Sequence, residues 1–273
     1  MKKLTVLLVF ALLISSTVIG QNKNEKLEIK SAEVKGVTYN IDIVLPIGYD
    51  STKKYPIIYM ADWWFASHLA KSLMPILMYN IKPIIIVGIQ DKSTITPNDW
   101  NRNRSRDLTP TNEKTSDKLS GLPAGTSGGA KHFLAFIKKE LIPTVEKKYA
   151  SDTEQRGYFG YSLGGLFGTY IILNEPQLFN KYLIGSPSLW WDDYLLSKEL
   201  KKIKAESLAS IKSIFLAVEE EGTQLQSFSQ MREQILNKKL KNLKLESVII
   251  SGESHMTAIP SAMIKGLKYL YGK

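Results

Sequence analysis

The sequence predicts an α/β fold with a mostly parallel central sheet, and two observations support this prediction. Short apolar runs bounded by turn residues alternate along the chain with longer segments of helical periodicity. The apolar runs are continuous rather than alternating, which is typical of parallel strands that helices cover on both faces. The predicted strands are 56–61, 83–89, 157–161, 182–186, 213–218 and 245–251, and the predicted helices are 65–80, 128–149, 163–175, 192–206, 225–243 and 258–273.

The beginning of the predicted domain departs from this pattern. Residues 27–46 alternate apolar and polar side chains around a turn near Lys35 and Gly36, which predicts a pair of antiparallel strands. An antiparallel pair followed by strand–helix units is the layout of an α/β-hydrolase fold. We expect residues 21–273 to form one such domain, because no internal repeat or linker divides them. Residues 90–127 have no usable periodicity and are expected to form an irregular loop on the substrate side.

Residues 1–20 have the features of a signal peptide. Lys2 and Lys3 precede an apolar run that is too short to span a bilayer, and Gly20 is a small residue at the expected cleavage site. We therefore expect an exported protein, periplasmic or secreted, without stable membrane insertion after cleavage. An uncleaved anchor is the alternative. The chain has no cysteine, which excludes lipoprotein attachment, disulfides and thiolate catalysis.

The formal net charge is +10, and much of the excess is lysine in residues 198–206 and 237–244. These segments are typical of solvated helix faces. The basic and aromatic residues do not follow the pattern of a known nucleic-acid reader, so no nucleic-acid partner is expected. We interpret the charge as a source of solubility and, at most, of mild steering of anionic ligands.

The segment "GYFGYSLGGLFGTY" places a serine between a predicted strand and a predicted helix. Gly160, Ser162 and Gly164 form the pattern G-x-S-x-G. In this context the pattern predicts a sharp turn that lifts the serine hydroxyl above the sheet, with small residues on either side so that strand and helix can approach. The backbone N–H of Leu163 would then face a developing oxyanion. A glycine-rich turn that only packs the helix tightly on the sheet is the alternative.

A serine nucleophile needs a general base, and the chain has three histidines. His68 and His132 precede Ser162 and fall within helical patterns, where structural roles are expected. His255 lies in a loop after the last predicted strand, where the chain order serine, acid, histidine places the base. Histidines this dispersed also argue against a zinc site, so no metal or cofactor is expected.

The carboxylate that supports the histidine is less clearly indicated. Glu219, Glu220 and Glu221 follow the strand 213–218, and we favour Glu221 because it precedes a glycine turn. The other two glutamates stay open, as do a solvated acidic loop and a Ser–His pair without a strong acid. Asp192 is a further candidate, although an N-cap of the following helix is the expected role there.

The second oxyanion donor is expected in the loop after the strand 56–61. We assign it to the backbone N–H of Trp63, although a glycine is more usual at such a position.

Several segments together resemble the "Putative esterase" family of α/β-hydrolases, which includes catecholate siderophore trilactone esterases, feruloyl esterases and S-formylglutathione hydrolase. The similarity covers nearly the whole predicted mature chain, and its spacing is most similar to exported bacterial siderophore esterases. The resemblance implies Ser162 as nucleophile and His255 as base. Its segments are 60–64, 103–110, 128–149, 160–165, 185–193 and 253–271.

Two positions depart from the family pattern. Tyr161 stands where a histidine is common before the nucleophile, a change we expect to alter packing more than chemistry. Glu219 stands where the strand before the acidic loop usually carries a glycine, which leaves the assignment of the acid open.

Substrate-binding residues are predicted in two segments. Arg104 and Arg106, with Arg102, lie in the irregular segment and could meet an anionic substrate, whereas an ion pair of Arg106 with Asp107 would only fix the loop. Trp190, followed by another tryptophan, could wall an acyl or aryl pocket, and burial in the core is the alternative.

The sequence therefore predicts an exported serine carboxylic-ester hydrolase that acts through an acyl-enzyme on a small-molecule ester, with an anionic or an aromatic substrate as the open alternatives. A feruloyl or acetyl-carbohydrate esterase or a thioesterase is the nearest alternative. From another class, a non-catalytic protein that retains the hydrolase fold to hold a ligand is also compatible with the sequence, although an intact serine and histidine in the expected order argue against it.

Overall fold

Eight strands form one sheet in the computed structural model, which describes residues 24–119, 121 and 125–273; the predicted signal peptide lies outside them. The strands are β1 (Asn24–Lys30), β2 (Thr38–Val44), β3 (Tyr55–Met60), β4 (Ile85–Asp91), β5 (Ser151–Tyr161), β6 (Lys181–Gly185), β7 (Ser213–Glu219) and β8 (Lys244–Ile250). Their order across the sheet is β1-β2-β4-β3-β5-β6-β7-β8. β2 is antiparallel to both neighbours and the other pairs are parallel, which confirms the predicted sheet with its antiparallel start.

Helices cover both faces of this sheet. They are α1 (Trp63–Leu77), α2 (Pro97–Leu108), α3 (Lys114–Leu119), α4 (Ala130–Phe136), α5 (Ile142–Lys148), α6 (Leu163–Asn174), α7 (Trp191–Lys202), α8 (Leu225–Leu236) and α9 (Ile259–Tyr271). A π-helical turn at Ile137–Leu141 joins α4 to α5, and a short 3₁₀ helix occupies Ala205–Leu208. In the described part of the chain, no helix has the length and apolar character that crossing a membrane requires.

The core has two halves because strand side chains alternate between the faces. In β3, Ile57 and Tyr59 join the cluster under α4 to α8, whereas Ile58 and Met60 join the cluster under α1 and α9. All four side chains are buried. The continuous apolar runs of the sequence therefore serve a sheet that is buried on both faces.

The expectation of an irregular segment at 90–127 is wrong, because α2 and α3 lie within it. α2 begins with a capping box, in which the Thr96 side chain accepts from the Asp99 N–H and the Asp99 carboxylate accepts from the Thr96 N–H. Pro97 occupies the first helical position. Apolar periodicity did not reveal this helix because its buried face includes the polar Asn103, Ser105 and Asp107.

Candidate active site

Ser162 lies on a sharp turn between β5 and α6, as the G-x-S-x-G pattern predicts. Its backbone has φ 59° and ψ −117°, a conformation that non-glycine residues rarely adopt. A Cβ on Gly160 would clash with the carbonyl group of Gly164, so the strand and the helix approach this closely only without that side chain. The Ser162 N–H donates to the Gly185 carbonyl at 2.9 Å, which ties the turn to β6.

The two predicted oxyanion donors both stand at the N-terminus of a helix. Leu163 is the first residue of α6 and Trp63 the first residue of α1. N–H groups of a first helical turn have no acceptor within the helix. The Trp63 side chain is buried over Gly88 and donates from Nε1 to Asp42 Oδ2 at 2.9 Å, so its backbone is held firmly.

The imidazole of His255 pairs with Glu219. His255 lies in the loop between β8 and α9, and its Nδ1 is 2.9 Å from Glu219 Oε1. Glu219 is the last residue of β7 and its side chain is only 1% exposed, whereas the imidazole is 35% exposed. With Nδ1 engaged by the carboxylate, Nε2 is the ring nitrogen available to a reacting group.

The preference for Glu221 as the partner of His255 is therefore wrong in this structure. Glu221 is exposed, and the Glu220 carboxylate instead accepts from the Gly252 N–H at 3.1 Å. Asp192 lines a different surface depression, and its backbone N–H donates to Ser116 Oγ at 3.0 Å. The expected N-cap role is wrong as well, because among the described residues no side-chain hydrogen bond caps the start of α7. Side chains alternate along a strand, so Glu219 points to the same face as Phe215 and Ala217, which is the face that α9 covers, whereas Glu220 and Glu221 lie beyond the end of β7.

Hydrogen bonds keep the buried Glu219 ionised. Burial by itself raises the pKa of a carboxyl group, but hydrogen bonds from His255 and Ser186 outweigh it, and the pKa of Glu219 lies below its ordinary value. Ser186 Oγ contacts Glu219 Oε2 directly. The negative charge is thus available to hold and orient the imidazole.

Ser162 and His255 line one cavity of about 220 Å³. In the described residues, Ser162 Oγ makes its side-chain contact with Ser188 Oγ at 3.3 Å rather than with His255. A serine–histidine hydrogen bond that forms only with bound substrate is common in hydrolases. The cavity walls are mostly apolar, and the other lining residues are Ala61, Asp62, Phe65, Ala66, Trp100, Arg104, Phe159, Tyr161, Met256 and Ile259.

Arg104 reaches this cavity, but its charge is already paired. Its Nε and Nη2 donate to the two carboxylate oxygens of Asp62, each at 2.8 Å, and its guanidinium lies 4.5 Å from the ring centre of Trp100. The Arg104 and Asp62 side chains are 13% and 11% exposed. Arg104 therefore lines the candidate site as half of a nearly buried ion pair.

Arg106 lies in a different cluster and is not among the residues that line the cavity. It donates to Asp91 at 2.9 Å and to both carboxylate oxygens of Asp107 at 2.7 Å, and Tyr39 donates to Asp107 at 2.9 Å. The ion pair of Arg106 with Asp107 is the structural alternative to anion binding that the sequence left open. Arg102 is half exposed and pairs with Asp99 at 2.7 Å.

The aromatic wall of the cavity comes from residues that sequence reasoning did not single out. Trp190 instead lines a separate surface depression with Asp192 and Gln224, and Trp191 is buried. Trp100 and Phe65 take the predicted place of Trp190, with their rings stacked 5.9 Å apart. Trp100 precedes Arg104 by one helical turn, so the two side chains share a face of α2. The capping box at Thr96 and Asp99 predicts this helix from the sequence and would have placed Trp100 beside Arg104.

The remaining histidines are placed as expected, because His68 on α1 and His132 on α4 are both exposed. Within the described ranges, no three His, Cys, Asp or Glu side chains lie close enough together to hold a metal ion.

A serine on a strained strand–helix turn and a buried carboxylate–histidine pair, at the carboxyl edge of a mostly parallel sheet, define an α/β-hydrolase. The family model described as "Putative esterase" matches residues 31–258. The chain therefore belongs to this family, and it is an esterase.

Known proteins with similar sequences or structures agree with this assignment. The ferri-bacillibactin esterase BesA of Bacillus subtilis (strain 168) is 26% identical over 251 residues, which are 85% of this chain and 84% of that protein. The crystal structure of the BES protein from Bacillus cereus matches 100% of both chains with a TM-score of 0.77 and 25% identity. The IroE-like serine hydrolase from Shewanella oneidensis matches with a TM-score of 0.76 and 26% identity, over 91% of this chain and 80% of that chain.

Proposed function

We propose that this esterase hydrolyses carboxylic esters through an acyl-enzyme on Ser162, with His255 as general base and Glu219 as its supporting acid. One observation carries the proposal: the buried Glu219 carboxylate holds Nδ1 of His255 at 2.9 Å, and His255 shares a cavity with a serine on a strained turn. This is the arrangement by which a weak serine nucleophile is activated.

In the first half of the reaction, Ser162 Oγ attacks the ester carbonyl carbon while Nε2 of His255 takes the hydroxyl proton. The tetrahedral intermediate collapses, the proton passes from His255 to the leaving alkoxide, and the alcohol departs. In the second half, His255 takes a proton from water, the hydroxide attacks the acyl-enzyme, and the proton returns to Ser162 as the acid leaves. Glu219 stays ionised throughout and stabilises the imidazolium.

The backbone N–H groups of Leu163 and Trp63 are the proposed oxyanion donors. Each opens a helix, where the macrodipole favours negative charge. Fixed donors cost little reorganisation when the oxyanion forms, which is why they stabilise the transition state more than water does.

The proposed substrates are siderophore-type esters with aromatic groups. The similar BesA is a ferri-bacillibactin esterase, and the family segments of this chain are spaced as in catecholate siderophore esterases. Phe65, Trp100 and Tyr161 line the cavity, and flat aromatic side chains suit a flat aryl group of the substrate. Among the described residues that line the cavity, Arg104 carries the guanidinium charge, and that charge is already paired with Asp62. This wall therefore offers no unpaired arginine to an anionic substrate.

Export remains part of the proposal. The sequence of residues 1–20 has the pattern of a signal peptide, and this pattern supports the proposal that the esterase is exported.

A comparison of three substrates tests the proposal. The purified enzyme is given a catecholate trilactone, a feruloylated sugar and an acyl-thioester, with Ser162→Ala as the matched control. We expect kcat/KM to be about tenfold higher for the trilactone than for an aliphatic acyl-thioester, since an aromatic group in the cavity adds up to about 1.4 kcal/mol of binding in the transition state. The feruloyl group is aromatic too, so the expected preference for the trilactone over the feruloylated sugar rests on the similarity to BesA.

A preference for the feruloylated sugar or the thioester would contradict the substrate assignment but not the mechanism. Hydrolysis that persists in Ser162→Ala would contradict the mechanism. Binding of the trilactone without turnover by the wild type would indicate a ligand-binding protein and contradict both.

A further inference from the structure

Tyr161, the residue before Ser162, has a hydroxyl group at the centre of the candidate site. Its Oη is 2.7 Å from the backbone carbonyl oxygen of His255, 2.9 Å from Ser186 Oγ and 3.3 Å from Glu219 Oε2. These contacts join β5, the end of β6, the end of β7 and the loop before α9.

The ring of Tyr161 is clamped as firmly as its hydroxyl. A Cβ on Gly185 would clash with the tyrosine ring, so the glycine leaves the space in which the ring lies. On its other side the ring lies 5.2 Å from the imidazole of His255, and the residue is only 6% exposed. The hydroxyl therefore has little freedom to move away from its partners.

The two hydroxyl groups have only two protons for these contacts. Ser186 Oγ lies against the ionised carboxylate of Glu219, which can only accept, so the serine proton is best used there. The Tyr161 proton then goes to the nearest acceptor, the His255 carbonyl. Each proton thus fixes one member of the acid–base pair: Ser186 holds the Glu219 side chain and Tyr161 holds the His255 backbone.

The tyrosine remains a donor over the working range of the enzyme. Burial is the main cause that raises the pKa of Tyr161 far above its ordinary value, and the nearby Glu219 charge raises it further. The hydroxyl stays protonated at any pH at which the esterase would act.

We infer that Tyr161 is a positioning residue of this esterase, whose hydroxyl group holds the His255 loop so that the imidazole can reach both Glu219 and Ser162. The inference rests on the proposed function. It differs from the expectation that Tyr161 alters packing more than chemistry, because the hydroxyl bonds directly to the backbone of the proposed base.

A tyrosine that only fills space would make a different contribution. Its hydroxyl could be removed without changing turnover, as long as the ring remained. A positioning hydroxyl affects the rate of proton transfer, and therefore kcat, while leaving substrate binding and KM nearly unchanged.

The test compares Tyr161→Phe with Tyr182→Phe on p-nitrophenyl butyrate. Tyr182 is a matched control because it is fully buried in the adjacent strand β6, and its hydroxyl has no partner among the described residues. Turnover is expressed per active serine, titrated with a fluorophosphonate, so that a misfolded fraction does not count. For Tyr161→Phe we expect kcat to fall about tenfold, the equivalent of one lost hydrogen bond, with KM within about twofold. Tyr182→Phe should match the wild type.

A double-mutant cycle adds a second measurement. Ser186 contacts both Tyr161 and Glu219, so Ser186→Ala should also lower kcat, and the double variant should lose less than the product of the two single losses. A Tyr161→Phe variant with the kcat of the wild type would overturn the inference. If the wild type itself neither hydrolyses the ester nor reacts with the fluorophosphonate, the proposed function fails and the inference fails with it. An active wild type with unchanged Tyr161→Phe overturns the inference alone.

Discussion

Three residues of the candidate site have backbone conformations that cost energy. Asp62, Ser162 and Ser186 have φ values of 57°, 59° and 39°. Such conformations cost about 1–3 kcal/mol each and persist only where surrounding contacts determine them. Arg104 holds the Asp62 side chain, the Ser162 N–H bonds to β6, and Ser186 is bound by Glu219 and Tyr161. These three conformations therefore lie where the proposed nucleophile, the proposed oxyanion loop and the proposed supporting acid must be aimed.

At this scale the choice among the glutamates can be tested directly. Glu219→Gln keeps the side-chain shape but removes the charge that supports His255, so we expect kcat/KM on p-nitrophenyl butyrate to fall by at least about a hundredfold. Glu221→Gln is the matched control and should stay within about twofold of the wild type, because that side chain is exposed. The reverse order of the two variants would return the assignment to Glu221.

The same pair of variants has a pH-dependent stability readout. The folded protein holds the pKa of Glu219 below its ordinary value of 4.5, so the ionised side chain stabilises the fold above that pH. The contribution is lost as the pH falls from 4.5 through the lower pKa of the folded state. Chemical unfolding should therefore show a wild-type advantage over Glu219→Gln at pH 6 to 7 that shrinks toward pH 3. A constant difference across this range would mean that Glu219 is not held ionised.

At the scale of elements, α2 connects the site to the sheet. Arg104 reaches from α2 to Asp62, which precedes α1, and Arg106 reaches from α2 to Asp91 at the end of β4. Because Asp62 is next to Trp63, the Arg104 ion pair also fixes the direction of the proposed second oxyanion donor.

A substitution on α2 distinguishes this positioning role from anion binding. Arg104→Met leaves the Asp62 carboxylate nearly buried and unpaired, which costs about 3–5 kcal/mol when a buried ion pair is broken in this way. We expect the melting temperature to fall and kcat to fall by a similar factor for neutral and for anionic p-nitrophenyl esters. Steady-state kinetics on both esters give the measurement.

Arg102→Met on the same helix is the control. The Arg102 side chain is half exposed, so its loss should leave the kcat and KM for both esters unchanged. A loss confined to the KM of anionic esters would contradict the positioning role and restore Arg104 as a direct anion-binding residue.

How far the elements could be predicted depends on what each one buries. Every predicted strand is present, because continuous apolar runs mark strands that are covered on both faces and alternating residues mark β1 and β2. α2 was missed because it buries asparagine, serine and aspartate, whose burial depends on hydrogen bonds to distant residues such as Tyr39. The capping signal at Thr96 and Pro97 was readable from the sequence alone.

The site shows the same division between local and distant information. Ser162 stands on the predicted turn because glycine spacing is a local signal, and His255 stands in the predicted loop because it follows the last strand. Glu219 could not be separated from Glu220 and Glu221, since the register at which β7 ends is set by its pairing with β6 and β8. Likewise, nothing in the local sequence of Trp190 reveals that it faces a separate depression.

At the scale of the whole molecule, the sheet topology assembles the site. β5, β7 and β8 are parallel and end at the same edge of the sheet, so the residues that follow them meet there. Glu219 and His255 are 36 positions apart in sequence and come into contact because β7 and β8 are neighbours. Tyr161 and Ser186 then lie between these strand ends and link them.

The most direct test of the central claim is covalent labelling of the wild type and Ser162→Ala with a fluorophosphonate, beside their hydrolysis of p-nitrophenyl butyrate. We predict one adduct per wild-type chain, located by peptide mass spectrometry on Ser162, and a loss of at least about a thousandfold in hydrolysis for Ser162→Ala, which should take no label. An adduct on another residue, or a Ser162→Ala variant that is labelled and active, would contradict the account.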